Sequence, residues 1–438
     1  MTRVAIYNLY WHTYGGGEQV SGALAEHLAK GHDVTLLGPV EVDPDASRQR
    51  LGVDLARCGF RVVTGDDEAS EASADYDVFI NGTYRSSALN RAPRGFYYVH
   101  FPEPPPSARD KIRHNLATVG STALRPMSKG PSALMGVKRG FERRRRDVSW
   151  AKSYTSFWSN SAYTARWTER LWHVTSDVVF PPVRPVVVAD WSAKRPSIAS
   201  VGRFFDPSLG HCKKQRDLLH AFATMHADGR SAVEATQWKL SFVGGADGAS
   251  RDYTLGVRRA AVGLPVDVHV NAPRQTVVEV LNGASIYWHG TGFGEDVERH
   301  PERFEHFGIA VVEAMAAGAV PVVFGEAGPA EIVRHGMDGF HWRTLDELAT
   351  HTHRLMTDTD LRRRMAEAAV TRAADFSLTR FADAVDAALS CIGRADSEVV
   401  RVGAVGVEAV LGDRFGHHRL RHHAIGGQPG QNGHHDVG

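Results

Sequence analysis

The chain has 438 residues and a formal net charge of +1, so it is long enough for two domains with substantial cores, and no bulk electrostatic argument points to nucleic acid. Its three cysteines, Cys58, Cys212 and Cys391, are far apart and odd in number. They form neither a disulfide framework nor a zinc spacing, and a reducing compartment is the simplest reading.

In chain order, the first apolar run, Val4–Asn8, is too short and too soon ended by glycines for a signal peptide, and it reads as a buried strand. Further short β-rich runs follow at Asp33–Leu37, Arg61–Val63, Val78–Asn81 and Phe96–Phe101. The pattern repeats at Ile198–Gly202, Lys239–Gly244, Asp267–Val270, Ile286–Trp288 and Val320–Phe324. Alternation of such runs with longer helical patterns predicts an α/β protein with two parallel sheets covered by helices and a cleft between the domains. The proline-rich segment from Val179 to Pro196 puts the boundary near residue 190, giving domains 1–190 and 191–375. An amphipathic last helix is expected over 376–392, and 393–438, rich in His and Gly, reads as a disordered tail. No stretch of eighteen apolar residues occurs; even 308–324 is interrupted by Glu313, Gly318 and Pro321, so no membrane span is expected.

The loop Tyr14-Gly-Gly-Gly-Glu18 after the first strand is an ordinary turn or a close approach of backbone to a ligand, and Gly16 and Gly17 favour the second. It is not the dinucleotide fingerprint, which leaves a nicotinamide dehydrogenase poorly supported. His100, at the end of a first-domain strand, is either structural or a cleft-facing site residue. From Arg125 to Arg146, basic residues interleave with Met127, Leu134, Met135, Val137 and Phe141. That segment reads equally as a solvated helix face and as a contact for an anionic bilayer or acidic acceptor.

In the second domain Arg203 ends a strand and Lys213-Lys214 precedes a helix, a placement that puts cations beside a departing anion. The segment Glu305-His-Phe-Gly-Ile-Ala-Val-Val-Glu313 is the most informative. Eight residues of spacing rotate the second carboxylate about 80° round a helix, so Glu305 must precede the helix that carries Glu313. Phe307, Gly308 and Ile309 are then expected to form the first turn, whose free N–H groups and positive dipole end suit a diphosphate. Carboxylates beside a phosphate are tolerable when they accept from neutral hydroxyls, which the hexose and ribose of a nucleotide sugar supply.

Together the Glu-x7-Glu segment, the Gly202-Arg203…Lys213 pair, the Gly-Gly-Gly-Glu loop, Ser159-Asn160-Ser161 and Phe376-Ser377 resemble, in order, the GT-B retaining glycosyltransferases of family four. Glu305-His-Phe-Gly-Ile and Val179-Phe-Pro-Pro look closest to the branch holding the Alg-type lipid-linked mannosyltransferases and bacterial polysaccharide enzymes. The resemblance covers residues 1 to about 392 and implies two Rossmann-like domains facing across a cleft. It implies that Glu305 contacts the transferred sugar, Glu313 the ribose, and Arg203 and Lys213 the diphosphate, with backbone contacts from Phe307, Gly308 and Ile309. Gly16 and Gly17 would close over the donor, and His100 would lie near acceptor or sugar. Because Asp206–Cys212 lengthens the loop, either lysine could be the contact; the family register of Leu219 and Phe222 selects Lys213. The implied reaction moves a hexose, with mannose from GDP-mannose the leading choice and UDP-glucose an alternative, to a glycan or lipid-linked acceptor. No metal and no cofactor are expected, and a cytoplasmic location, peripheral at the inner membrane face if 125–146 touches it, follows. A sugar-nucleotide epimerase or hydrolase and a non-catalytic nucleotide-sugar-binding protein are the competing readings.

Overall fold

A computed structural model of the chain describes residues 1–104, 148–184, 189–210, 212–227 and 238–402. The basic segment 125–146 and the His-rich tail beyond residue 402 lie outside them.

The strands are β1 (Arg3–Tyr7), β2 (Asp33–Gly38), β3 (Gly59–Val62), β4 (Val78–Asn81), β5 (Arg94–Val99), β6 (Ser156–Ser159) and β7 (Asp177–Val178), then β8 (Arg195–Val201), β9 (Lys239–Gly244), β10 (Val266–Val270), β11 (Ala284–His289), β12 (Val320–Phe324) and β13 (Phe340–Trp342). They form two parallel sheets, in the orders β3-β2-β1-β4-β5-β6-β7 and β10-β9-β8-β11-β12-β13. Each order reverses direction once, between β1 and β4 and between β8 and β11. Every described residue of β4, β11 and β12 is buried, which is why their centres, Val78–Ile80, Ile286–Trp288 and Val320–Phe324, read as short apolar runs rather than alternating ones.

Helices cover both sheets: α1 (Gly16–Leu28), α2 (Pro44–Leu51), α3 (Asp66–Ala72) and α4 (Ala162–Trp172) in the first half. The second half has α5 (Gln215–Ala227), α6 (Arg251–Ala260), α7 (Arg274–Gly283), α8 (Ile309–Ala316), α9 (Ala327–Ile332), α10 (Leu345–Thr357), α11 (Thr359–Ala373) and α12 (Leu378–Val402). Residues Met1–Leu389 make one compact unit and Ser390–Gly438 a second. Within the first unit, Phe101, Tyr163 and Trp167 share one buried apolar cluster with Ile198, Trp288, Phe304 and Phe324 of the second sheet's region.

All the strands expected from sequence are present, and β6, β7 and β13 are additional. β7 and β13 are two and three residues long, too short for a hydrophobic period to register, and β6, though as long as β3 and β4, has only Phe157 and Trp158 between two serines. The last helix runs to Val402, past residue 393 where the tail was expected to begin. Around residue 180 the proline-rich segment is packed rather than loose: Val179 and Val183 are buried, and the Val183 N–H donates to the Phe376 carbonyl at 2.8 Å.

Candidate functional site

In doubly wound sheets a crevice opens at the carboxyl ends of the strands where the order reverses. The loops at these ends are residues 8–15 after β1 and 82 onward after β4 in the first sheet, and 202–214 after β8 and 290–308 after β11 in the second. Gly16 and Gly17 open α1 directly after the first of these loops and His100 follows β5, while the second sheet's loops carry Arg203, Lys213, Glu305 and Gly308.

The two sides meet at the starts of two helices. A Cβ added to Gly16, the first residue of α1, would lie 3.0 Å from Ile309 Cδ1, at the first residue of α8. A Cβ at Gly17 would lie 3.3 Å from His100 Cε1. Glycine at these positions therefore lets the N-termini of two helices from different sheets approach one another, and their positive ends converge. The start of α1 is closed by Glu18, whose Oε2 accepts from the Gly15 N–H and the Thr13 hydroxyl, both at 2.7 Å.

α8 begins two residues later than the spacing suggested. Gly308 caps it with a left-handed backbone, φ +118°, so Ile309 and not Phe307 opens the first turn. Phe307 is a core residue instead: its ring is 4% exposed and packs near Phe180 and Phe376. Its burial, worth about 2–3 kcal/mol, anchors the entry to the helix. Gly328 of α9 packs on the same stretch, its N–H donating to the Glu305 carbonyl at 2.9 Å.

Glu305 precedes the cap. Its Oε2 accepts a hydrogen bond from Lys213 Nζ and a second from His289 Nε2, the latter at 3.2 Å. Gly202 makes room for the lysine stem, since a Cβ there would come within 2.8 Å of Lys213 Cγ. The backbone also separates the two adjacent lysines. Lys214 has φ +59°, a conformation glycine adopts readily, and it turns its Nζ onto Glu295 Oε1 at 2.6 Å. Arg303 holds the other Glu295 oxygen at 2.9 Å, and these two cations keep the carboxyl below its ordinary value despite burial. Lys213 thus faces the crevice residues while Lys214 fastens the loop 290–304. Arg203 is exposed and lies over the Phe205 ring at 4.8 Å, unencumbered by a carboxylate contact short enough to be an ion pair among the described residues.

Glu313 sits one turn into α8, and burial pushes its carboxyl up to about 7, with Arg274 at the start of α7 opposing the shift. Burial raises the Tyr287 phenol most, and the charges of Glu305 and Glu313 raise it further, so both carboxylates lie within electrostatic reach of one side chain of β11. His100 donates from Nε2 to the Gly82 carbonyl at 2.9 Å, and burial lowers its pKa. A neutral ring with its proton on Nε2 leaves Nδ1 as the accepting nitrogen. Among the site residues, Glu331 locks the two halves together: its carboxylate accepts from the Ala162 and Tyr163 N–H groups at 2.8 and 2.6 Å, capping α4 from the other sheet's side.

The structure brings Glu305, Lys213, Gly308, Ile309, Gly16, Gly17 and His100 together, while Arg203 is exposed at the end of β8 and Glu313 is buried on α8. It adds His289, Glu295, Arg303 and Glu331, which the sequence reading passed over. For His289 a signal existed: it ends a strand as His100 does, but the strand was read as stopping at Trp288.

Residues 189–372 match the family described as Glycosyl transferases group 1. A GDP-Man:Man(3)GlcNAc(2)-PP-Dol alpha-1,2-mannosyltransferase of Dictyostelium discoideum is 31% identical over 191 residues, 41% of this chain and 35% of that protein. The Xenopus laevis protein of the same name is 27% identical over 181 residues, 39% of this chain and 34% of its own. The chain thus spans about a third of the length of these curated relatives. Among solved structures, Anabaena Alr3699/HepE in complex with UDP and glucose superposes with a TM-score of 0.61 at 14% identity, covering 89% of this chain and all (100%) of that one. Sucrose-phosphate synthase from Thermosynechococcus elongatus gives 0.58 at 14% identity over 90% of this chain and 100% of its own. At these identities the likeness concerns the fold, which is GT-B: two Rossmann-like parallel-sheet domains.

Proposed function

We infer, from a chain whose residues 189–372 match the glycosyl transferases group 1 family, that the protein is a retaining glycosyltransferase. It moves a hexose from a nucleotide diphosphate sugar to a glycan or lipid-linked acceptor. The observation that carries this reading is the convergence of two helix starts, at Gly16 and Ile309, with Lys213 held on Glu305 just before the second. Such an arrangement suits a diphosphate, whose charge it offsets through N–H groups and the lysine, with Arg203 assigned here as a second cation.

In the reaction, the acceptor hydroxyl oxygen bonds to the anomeric carbon as the bond from that carbon to the phosphate oxygen breaks. The electron pair leaves with the diphosphate, which also takes the hydroxyl proton. Lys213 and Arg203 stabilise the charge that develops on the leaving group. Glu305 accepts from hydroxyls of the transferred sugar, Glu313 from the ribose, and the backbone of Gly308 and Ile309 meets the phosphates. His100 approaches the acceptor or sugar through Nδ1, because its Nε2 proton is committed to Gly82. GDP-mannose is the donor of choice, supported by the GDP-Man-dependent activity for which the Dictyostelium and Xenopus relatives are named. A peripheral position on a membrane is consistent with a lipid-linked acceptor; among the described residues no helix is long and apolar enough to cross one.

The test is donor turnover with a panel of nucleotide sugars, with and without acceptor, for wild type, Arg203→Ala and Lys213→Ala. Each substitution is expected to cost about 100-fold or more. Near wild-type rates in both variants would exclude this role for the cations, and an epimer or stoichiometric free sugar formed regardless of acceptor would favour the epimerase or hydrolase.

A further inference from the structure

We propose that His289 is a positioning residue for Glu305, holding the carboxylate through an Nε2–H donated to Oε2 so that Lys213 does not draw it out of register with the sugar. The inference rests on the glycosyl-transfer reading above, in which Glu305 meets the transferred hexose.

Three observations support it. First, His289 is the last residue of β11, the strand at the reversal of the second sheet, and is 6% exposed. Its carbonyl accepts from Trp342 Nε1 at 3.2 Å, so its backbone is held within the sheet. Second, the ring's only hydrogen-bonded nitrogen is Nε2, on Glu305; Nδ1 is buried with no hydrogen-bond partner. A buried N–H without an acceptor is costly, so the proton belongs on Nε2 and Nδ1 keeps its lone pair. Burial also lowers the His289 pKa, which disfavours a second proton. Third, His289 and Lys213 grip the same oxygen of Glu305 from different elements.

The two donors are not equivalent. Lys213 is a compact charge on a flexible four-carbon stem and can exchange its partner for a phosphate oxygen. When it does, a carboxylate held by the lysine alone loses its orientation. A neutral imidazole on a rigid strand keeps Glu305 in place without neutralising it, so the carboxylate remains a full acceptor for a sugar hydroxyl throughout the exchange.

The experiment compares His289→Gln, which retains an amide donor, with His289→Leu, which fills similar space without one. Loss of a hydrogen bond to a charged group predicts a fall in kcat of about 10- to 100-fold for the leucine variant. Most of that is regained in the glutamine variant, while thermal melting shows both folded. The double variant His289→Leu/Glu305→Ala should be no slower than Glu305→Ala alone. Equal rates for the glutamine and leucine variants, or additive losses in the double variant, would overturn the positioning role. A nitrogen-15 spectrum of the ring gives a readout free of turnover: a neutral Nε2–H tautomer whose signal moves in Glu305→Ala is expected, and an unmoved signal overturns the contact. If wild type turns over no nucleotide sugar while the ring signal still responds to Glu305→Ala, the glycosyl-transfer reading fails and the catalytic part of this proposal falls with it.

Discussion

Replacing Glu313 by glutamine should stabilise the protein at alkaline pH and leave it unchanged in acid. Burial in α8 raises the Glu313 carboxyl from its ordinary 4.5 to about 7, and Arg274 offsets only part of that. A folded-state pKa above the unfolded one means the protein binds this proton more tightly when folded. The resulting stability is present in full below about pH 4.5 and is lost as pH rises through about 7. At about 1.4 kcal/mol per pH unit between the two values, keeping Glu313 ionised costs the fold about 3 kcal/mol. Glutamine has the same shape and no charge to desolvate, so the variant escapes that cost. Urea unfolding of both proteins at pH 4.5 and at pH 8 is the assay: the difference between them should be near zero at the lower pH and about 3 kcal/mol in favour of the variant at the higher. An offset of the same size at both pH values would show that ionisation of Glu313 is not its source. The same residue links stability to function. If ribose hydroxyls donate to the ionised carboxylate, donor binding near pH 6.5 should release protons in wild type, and calorimetry in buffers of different ionisation heat should find none released by the glutamine variant.

Gly328→Ala should be among the most damaging single-methyl additions, because the new Cβ would lie 2.3 Å from the Phe307 carbonyl oxygen and 2.4 Å from its Cα. A loss of about 3 kcal/mol in urea unfolding is expected. Glu331→Ala removes the acceptor for two N–H groups at the start of α4, and should lower stability by about 1–2 kcal/mol in the same assay. Gly17→Val should raise the KM for the donor while leaving the melting temperature nearly unchanged, since the added methyls press on His100 rather than on the core. Arg203→Ala should also melt like wild type, its side chain being exposed, whereas Lys213→Ala should melt lower by leaving the partly buried Glu305 with fewer donors.

Much of the sheet architecture was legible because a parallel strand buried on both faces is written as a short run of apolar residues. Val320-Pro-Val-Val-Phe324 and Val78-Phe-Ile-Asn81 announce themselves in this way. Ser156-Phe-Trp-Ser159 and Phe340-His-Trp342 do not: polar residues interrupt the apolar run, and Ser159 and His341 are satisfied by Ser176 and the Val333 carbonyl, neighbours that sequence does not reveal. At the candidate site, the spacing of Glu305 and Glu313 was enough to place one before a helix and the other on it. It was not enough to place the helix start, because Gly308 spends itself on a left-handed cap and Phe307 on the core. The choice between Lys213 and Lys214 likewise rested on register alone until backbone conformation separated them.

By itself, then, the chain's sequence determined its local elements, its two-sheet class and the chemical types available for a site, since those depend on periodicity and residue identity within a few turns. Only the tertiary structure decided who meets whom. Lys213 reaches Glu305 across 92 residues, and His289 reaches it across 16. Gly16 meets Ile309 from the opposite sheet. These meetings arise because parallel strands return every connection to the same end of a sheet, so loops remote in sequence gather at the carboxyl ends of the strands, where no local pattern records their partners.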